Sequence, residues 1–455
     1  MTASVPLSVA RGPKGLPILG HVHAFRARPI PFLMRLAREY GDLPQFQLLS
    51  YPAYLLNHPD LVREVLVTQQ NKFIKSLALQ RARILLGEGL LTSEGDFHRR
   101  QRRLAQPAFH RERLNAYALV MTGCAARACG HWRHGATLNV SDEMMRLTLD
   151  IVARTLFSAD IESEAPEIGE ALTAVLKMFR LLMLPFAEYL EKLPLPPVRR
   201  FEKARARLDA TIYGLIEERR RDKRDTGDLL SMLLLAQDDE GDGAGMSDIQ
   251  VRDEAMTLFL AGHETTANAL TWTWYLLSQN PACEERLHQE LDSVLGGRVP
   301  TVGDLTSLRY TEMVFAESMR LYPPAWAIGR MAKEDCDLRG VKIAAGSICL
   351  ASPYVMHRDP RWFPDPERFD PERWIPEARE KRLRFSYFPF GGGARVCIGE
   401  RFAWMEGVLV LATIAQRWTL RLEPDQRVDI LPLITLRTKY GMRMSITSRQ
   451  GLKQK

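Results

Sequence analysis

A lone cysteine follows three consecutive glycines in the stretch FPFGGGARVCIGERFAW, residues 388–404. Glycines let a backbone approach other groups closely, and a helix that begins just after Cys397 would offer free N–H groups. Four interpretations suit this arrangement. The glycines could cradle a phosphate, or Cys397 could be a nucleophile, a buried structural residue or a thiolate ligand to a metal.

Spacing separates some of these alternatives. No Lys-Ser or Lys-Thr follows the glycines, and the spacing G-x-G-x-x-G is absent from the loop, which disfavours a phosphate site. The six cysteines contain no C-x-x-C pair, so their spacing suits neither a zinc site nor a disulfide framework. One thiolate is enough for heme iron, because the porphyrin supplies the other four donors. The nucleophilic and structural interpretations remain open on spacing alone.

An acid and two threonines stand in the middle of a long helical pattern. A capping box, S-x-x-Q from Ser247, predicts the helix start, and Asn-Pro after residue 279 predicts its end. The stretch LFLAGHETTANAL within it is apolar on several sides, which predicts burial. Glu264, Thr265 and Thr266 would then need partners or a chemical role, because buried polar groups are costly. A helix kink caused by threonine bonding back to the helix is the structural alternative.

The stretch FGGGARVCIG, residues 390–399, resembles the heme-binding signature of the cytochrome P450 family, F-x-x-G-x-R-x-C-x-G. The fixed positions of that signature are all met: Phe390, Gly393, Arg395, Cys397 and Gly399. The resemblance implies a mainly α fold of the α+β class, with a large helical domain around the heme and a smaller β-rich lobe. It also implies that Cys397 is the axial thiolate of heme b, iron protoporphyrin IX, and that Phe390, Arg395 and Gly399 contact the cofactor.

AGHETT, residues 261–266, resembles the central-helix motif of the same family, in which a small residue and glycine precede an acid and threonine. The resemblance implies that Ala261 leaves room for dioxygen. It also implies that Glu264 and Thr265 are catalytic and relay protons to the oxygen. No second histidine stands at position 267, so His263 and Glu264 do not form a zinc-protease motif.

Heme carries two propionates, so its site needs cations or hydrogen-bond donors at one edge. Family members place Trp or His four residues before an Arg on a helix, and His98 and Arg102 match that spacing. Arg330 and Arg395 are further candidates by position. A surface histidine is the alternative for His98. The other arginines of this helix form either a basic patch for an acidic electron donor or a solvated helix face: Arg99, Arg100 and Arg103.

Two further stretches resemble a structural network of the family. ESMRLYPP, residues 317–324, matches the pair E-x-x-R, and DPERFDPERW, residues 365–374, places Arg373 where the family completes a buried Glu–Arg–Arg network. Trp374 stands where the family usually has Phe. The network is expected to support the cysteine loop.

Hydrophobic patterns divide the chain into helical and strand-rich parts. Residues 42–57 alternate around a Ser-Tyr-Pro break, which predicts a hairpin, and the pattern is mostly helical from 59 to about 280. We expect a single cytochrome P450 domain over residues 1–455. Its helical core and its β-rich lobe are expected from these ranges: 80–320 and 397–420 for the core, and 15–75, 325–380 and 428–450 for the lobe.

Composition limits the class of protein. The chain has 455 residues, a formal net charge of +7 and 46% hydrophobic residues, which is ordinary for a globular protein. No segment reaches the ~20 apolar residues of a membrane-spanning helix, and the cysteine pattern suits a reducing compartment. We therefore expect a cytoplasmic, bacterial-type monomer that has no membrane span and binds no nucleic acid.

The resemblance implies a monooxygenase that inserts one atom of O2 into a hydrophobic small molecule by hydroxylation or epoxidation. Four apolar segments at substrate-recognition positions of the family, each of which could equally be core, favour a fatty acid, terpenoid or steroid: residues 76–90, 177–190, 323–328 and 430–436. Electrons from NAD(P)H are expected indirectly, through a ferredoxin or flavodoxin-type donor with a reductase. A peroxide-driven peroxygenase of the same fold and a non-catalytic heme-binding sensor are the alternatives.

Overall fold

The computed structural model of the protein describes residues 11–160, 165–182, 193, 195–222, 225–237 and 245–449. The chain forms two compact units. Unit 1 contains Met1–Gln80 and Met319–Cys397, and unit 2 contains Arg81–Ser318 and Ile398–Lys455. The mainly helical content with small sheets confirms the expected fold class.

The helices follow in chain order: α1 (Val22–Ala27), α2 (Pro29–Tyr40), α3 (Pro59–Arg63), α4 (Leu77–Arg81), α5 (Arg83–Leu86), α6 (Gly95–Ala105), α7 (Arg111–Gly130), α8 (Val140–Leu156), α9 (Ala165–Leu182), α10 (Pro196–Asp222), α11 (Leu229–Leu235), α12 (Asp248–Gln279), α13 (Pro281–Leu295), α14 (Arg309–Leu321), α15 (Pro353–Met356), α16 (Pro376–Lys381) and α17 (Glu400–Ala415).

The strands follow in chain order: β1 (Gln45–Leu48), β2 (Tyr51–Leu56), β3 (Phe73–Lys75), β4 (Thr137–Asn139), β5 (Ile328–Ala332), β6 (Cys336–Leu338), β7 (Val341–Ile343), β8 (Ile348–Ala351), β9 (Trp418–Leu422), β10 (Ile430–Pro432), β11 (Leu436–Thr438) and β12 (Arg443–Ser448).

Unit 1 is built on a sheet of five strands in the order β1-β2-β8-β5-β3. β1 and β2 pair antiparallel and confirm the hairpin predicted for residues 42–57. β2 pairs parallel with β8, whereas β5 pairs antiparallel with both β8 and β3. An apolar core that includes Leu61, Leu338 and Ile343 packs against this sheet. Burial of these side chains is the main stabilising contribution to the unit.

Unit 2 is organised around α12, whose 32 residues correspond to a rod of about 48 Å. The predicted capping box is present, because the Ser247 hydroxyl accepts from the Gln250 N–H and the Gln250 side chain accepts from the Ser247 N–H. A Cβ on Gly262 would lie only 3.0 Å from a methyl of Val152 on α8. Glycine at this position therefore lets α8 and α12 pack closely.

The last four strands also lie in unit 2, although the sequence pattern suggested that residues 428–450 join the β-rich lobe. β12 pairs antiparallel with β4 and with β9, and β10 pairs with β11 in a hairpin. The partner of β12 on one side is the short strand just before α8. This pairing of β12 with β4 places the last strands beside the helices of unit 2. Because the two strands are about 300 residues apart, no local pattern in the sequence predicts that they pair.

Arg320 connects α14 to the segment before the cysteine loop. Its side chain is fully buried and donates to the carbonyl oxygens of His357, Pro366 and Arg368 at 2.8, 2.7 and 3.0 Å. The His357 ring accepts from the N–H of Phe388 at 3.0 Å. Burial lowers the pKa of His357 well below its usual value, so the ring stays neutral and can accept. The buried arginine thus supports the backbone that leads into the cysteine loop.

Arg373 also donates to this segment, through a hydrogen bond of 3.0 Å to the carbonyl oxygen of Asp365. Glu317 is fully buried one turn before Arg320 on α14. Trp374, which replaces the usual Phe of the family, is buried at 3% exposure. The E-x-x-R segment therefore has the buried, structural setting that the resemblance implied.

Among the residues that the structure describes, no helix has both the length and the apolar character needed to cross a bilayer.

Candidate active site

Cys397 ends a loop whose conformation requires glycine. Gly393 has a φ of 71°, in the left-handed region that residues with a Cβ rarely adopt. A Cβ on Gly393 would lie 1.9 Å from the carbonyl oxygen of Leu66, and one on Gly392 would lie 2.4 Å from the Phe385 ring. The loop is packed so closely that a side chain cannot be added at either position without moving its neighbours.

Hydrogen bonds close the loop around the cysteine. The backbone N–H of Cys397 donates to the carbonyl oxygen of Phe390 at 3.0 Å. The N–H of Ala394 donates to Oε1 of Gln70 at 2.9 Å, which ties the loop to the turn after α3. α17 begins shortly after the cysteine, with Gly399 at its N-cap. The backbone of Cys397 is therefore held by the hydrogen-bonded loop before it and by the start of α17 after it.

Cys397 alone is exposed among the six cysteines of the chain. Burial raises the pKa of Cys124 to about 12 and also raises the pKa of Cys349, so both thiols stay protonated. A thiolate ligand must be reachable by its metal, and its position just before a helix start favours the charged sulfur. The structure therefore favours the ligand interpretation of Cys397 over the buried structural one.

His98 and Arg102 lie one turn apart on α6 and share a face of that helix. His98 is only 5% exposed, and its Nδ1 lies 3.3 Å from Oγ of Ser93. The surface-histidine alternative is therefore wrong. Arg102 is half-buried.

The candidate residues divide between the two units. Unit 2 contains Gly399 and the candidates on α6 and α12: His98, Arg102, Ala261, Glu264 and Thr265. Unit 1 contains the others: Arg330, Phe390, Arg395 and Cys397.

Arg330 lies directly opposite Lys75 in the register of β5 and β3. Arg330 is 8% exposed and Lys75 is 4% exposed. Side chains at paired positions share one face of a sheet, and like charges there repel each other. Both side chains carry positive charge, and a propionate carboxylate would have the complementary charge. Sequence reasoning missed Lys75, because only the strand register pairs residue 75 with residue 330.

The exposed arginines of α6 are partly engaged within the chain. Arg99 forms an ion pair with Asp96, and Arg100 donates to the carbonyl oxygen of Gly245 at 3.3 Å. The basic patch suggested by the sequence is therefore partly neutralised.

The central helix α12 is buried along much of its length but opens at its middle. Residues 251–259 are buried, whereas Ala261 is exposed and Gly262 and Thr265 are half-buried. The Thr265 hydroxyl donates to the carbonyl oxygen of Ala261 at 2.8 Å. Ala261 and Thr265 are one turn apart, so they share an open stripe on an otherwise buried helix.

Glu264 contacts a different element from the open stripe. Its carboxylate accepts from Nε of Arg437 at 2.7 Å and from the Thr435 hydroxyl, both on or next to β11. Asn268 donates to the Thr435 hydroxyl at 3.2 Å and to the Glu264 carbonyl oxygen at 2.9 Å. Glu264 is 4% exposed, and breaking a buried ion pair by removing one partner costs about 3–5 kcal/mol. The glutamate is thus held as a hydrogen-bond acceptor by two donors of the last hairpin.

The family model for cytochrome P450 matches residues 10–442 of this chain. The chain belongs to the cytochrome P450 family. Cyclooctatin synthase of Streptomyces melanosporofaciens is 45% identical to it over 93% of this chain and 92% of the relative. Cyclooctat-9-en-7-ol 5-monooxygenase of the same organism is 42% identical over 92% of this chain and 91% of the relative.

Two further comparisons agree with this assignment. Pentalenene oxygenase of Streptomyces avermitilis is 37% identical over 96% of this chain and 97% of the relative. The solved structure of retinoic acid bound cyanobacterial CYP120A1 superposes with a TM-score of 0.86 and 28% identity, and covers 97% of this chain and 99% of that one. The protein is therefore an oxidoreductase of the monooxygenase type with the P450 fold.

The residues of this P450 fit a heme-thiolate cofactor. The exposed Cys397 would provide a single soft ligand, and Lys75 and Arg330 would provide positive charge for a carboxylate. Within the described residues, no group of three or more His, Cys, Asp or Glu is placed to hold another metal ion.

Glu406 of α17 is a buried acid that sequence reasoning missed. It is fully buried, and burial raises its pKa to about 8. The Thr266 hydroxyl lowers this pKa slightly, but the contact is not a full hydrogen bond, because neither carboxylate oxygen has a hydrogen-bond partner among the described residues. The Glu406 carboxyl group is therefore neutral near pH 7.

Glu406→Gln should change how stability depends on pH. Between the ordinary pKa of 4.5 and about 8, the unfolded chain has lost a proton that the folded protein keeps. The free energy of unfolding therefore falls as pH rises through this window, by up to about 1.4 kcal/mol per pH unit. The glutamine variant lacks this titrating group. Its free energy of unfolding, measured by thermal unfolding at pH 5.5 and pH 7.5, should therefore fall less between the two pH values than that of the wild type. Glu202→Gln, at an exposed position, is the control and should behave as the wild type. An equal fall in the free energy of unfolding in all three proteins would contradict the raised pKa of Glu406.

Proposed function

We propose that this P450 hydroxylates or epoxidises an apolar cyclic terpenoid, with dioxygen as oxidant and electrons from separate redox proteins. The observation that carries the heme chemistry is the exposed sulfur of Cys397 at the end of a loop that glycines hold in place. Bound heme supplies the activation of dioxygen. The side chains of the protein bind the cofactor, orient the substrate and move protons.

Cofactor binding is assigned to eight side chains or backbone positions. Cys397 would bind the iron, and Lys75 with Arg330 would neutralise a propionate. His98, Arg102 and Arg395 are the other candidate partners of the propionates. Phe390 and Gly399, at the two ends of the signature, would pack beside the cofactor, and Ala261 would leave room for dioxygen.

Thr265 is the residue that we propose handles protons at the open stripe. Its hydroxyl hydrogen is directed at the carbonyl oxygen of Ala261, so the lone pairs of its oxygen can accept a hydrogen bond from a water or a bound group. Rotation of the hydroxyl would let it pass a proton onward. Glu264 is the second member of the relay, and its present bonds to Arg437 and Thr435 determine when its carboxylate can take part.

The substrate class is supported by two kinds of observation. The relatives named above include a monooxygenase of cyclooctat-9-en-7-ol and an oxygenase of pentalenene, both of which are cyclic terpenoids. Apolar side chains at the tip of the hairpin β10–β11 are half-buried or exposed, and Ile434 is 36% exposed. Such side chains would bind a hydrocarbon by desolvation. Of the predicted recognition segments, 183–190 lies outside the described residues.

Lys75→Met should weaken heme retention. The substitution removes a cation that would bind a propionate. Heme transfer to excess apomyoglobin should accelerate about tenfold, for a loss of about 1.4 kcal/mol. Lys333→Met, at an exposed position near the same sheet, is the control. Wild-type heme transfer from the Lys75 variant would contradict this role.

Thr265→Ala should uncouple electron consumption from product formation. With a reconstituted ferredoxin and reductase, product formed per NAD(P)H should fall about tenfold or more, because a positioned proton donor contributes roughly 10²–10⁴-fold. Heme content and the optical response to substrate should remain those of the wild type. Thr265→Ser, which keeps the hydroxyl, is the matched control and should retain coupling. Unchanged coupling in Thr265→Ala, or turnover with hydrogen peroxide alone as fast as with the redox proteins, would contradict the proposal.

A further inference from the structure

The hairpin β10–β11 joins an apolar tip to a polar base. Leu431, Pro432 and Leu433 are half-buried, and Ile434 is exposed. The next residue, Thr435, is buried at 5% exposure and begins the part of the hairpin that contacts α12. The hairpin therefore changes from apolar and exposed to polar and buried between Ile434 and Thr435.

Successive turns of α12 bind the base of the hairpin. Glu264 accepts from Arg437 and Thr435, and the Asn268 amide donates to the Thr435 hydroxyl at 3.2 Å. One further turn along, Nε1 of Trp272 donates to the carbonyl oxygen of Leu436 at 2.9 Å. These positions are spaced four residues apart, so one face of the helix holds the strand. A shift of the hairpin would therefore act first on the Glu264 carboxylate at the end of this row.

The two bonds to Glu264 determine what that acid can do. An ionised carboxylate is only an acceptor, and an arginine partner stabilises the ionised form. Both bonds go to the same oxygen, Oε1, and they come from a guanidinium and a hydroxyl two residues apart on the strand. As long as both bonds persist, Oε1 of Glu264 is occupied as the acceptor of two donors from the strand. A proton relay through this residue requires that the strand moves or that Arg437 turns away.

We propose that Thr435 and Arg437 form a latch on Glu264, and that an apolar ligand at the tip residues Pro432–Ile434 opens it. This proposal rests on the proposed function, since the ligand is the cyclic hydrocarbon substrate and the released acid serves its oxidation. Thr435 and Arg437 are positioning residues that act through Glu264. The latch ties proton supply to substrate occupancy, so that reducing equivalents are not spent when the substrate is absent.

The latch can be measured without turnover. Hydrogen–deuterium exchange of the heme-loaded protein, followed over peptides that contain residues 430–438, is compared with and without pentalenene as the probe. In the wild type the probe should increase exchange at residues 435–438. In Arg437→Gln exchange should already be raised about fivefold without the probe, and the probe should add little. Arg443→Gln, on the neighbouring strand β12 and exposed, is the control and should behave as the wild type.

Turnover then tests the link to proton supply. Arg437→Gln should raise substrate-free oxygen consumption per heme about fivefold and flatten its pH profile, whereas Arg437→Lys should restore the wild-type dependence on substrate. Thr435→Val keeps the side-chain shape and removes the hydroxyl, which donates to Glu264 and accepts from Asn268. The Arg437 bond to Glu264 remains, so this variant should give an intermediate effect even if Arg437→Gln folds poorly. A purely structural hairpin predicts lower thermal stability with wild-type oxygen consumption in both variants, and that result would overturn the latch.

The two proposals fail in different ways. If pentalenene and other cyclic terpenoids give no product with the wild type, while Arg437→Gln still raises exchange and oxygen consumption, the substrate assignment is wrong and the latch stands. If product forms but the exchange of residues 435–438 is the same in the wild type and in Arg437→Gln, the latch is wrong and the proposed function stands.

Discussion

Close packing of the backbone is the constraint on the segment around Cys397, and a sulfur that is to be presented to a metal would require it. The loop has no room for side chains at Gly392 and Gly393, because the Phe385 ring and the Leu66 carbonyl oxygen occupy that space. Behind it, buried Arg320 fixes the carbonyl oxygens of the segment from 357 to 368. A thiolate that moved would exchange its ligand bond for water, so rigidity is the property that these contacts provide.

Buried charges in this protein have distinct environments and therefore distinct roles. Arg320 is surrounded by carbonyl oxygens, and Glu264 is paired with Arg437. Glu406 has no hydrogen-bond partner among the described residues and stays neutral near pH 7. Lys75 and Arg330 lie at paired positions of β3 and β5, where they would provide positive charge for an anionic cofactor. The ionisation of each group follows from its neighbours rather than from its residue type.

Local patterns in the sequence predicted much of the fold and the site. The hairpin of residues 42–57, the capping box at Ser247 and the glycine loop before Cys397 depend on neighbouring residues, and the structure contains all three. Their signals are short, because turn chemistry, helix capping and backbone freedom act over a few residues.

Contacts between segments that are distant along the chain could not be predicted from sequence patterns. The pairing of Lys75 with Arg330 joins strands about 250 residues apart, and Glu264 reaches Arg437 only because the last hairpin packs on α12. The same limit explains why residues 428–450 were expected in the β-rich lobe rather than in unit 2. A motif identified Glu264 as an acid of the central helix, but only the fold shows which partner holds it.

The most direct test of the account is the carbon monoxide difference spectrum of the reduced, heme-loaded protein, recorded for the wild type and for Cys397→Ser. The account predicts the red-shifted band of a thiolate-ligated heme in the wild type and its loss in the serine variant, because the oxygen of serine does not supply the electron density of a thiolate. The same red-shifted band in Cys397→Ser, or a wild-type protein that takes up no heme when heme is abundant, would show that Cys397 does not bind the iron.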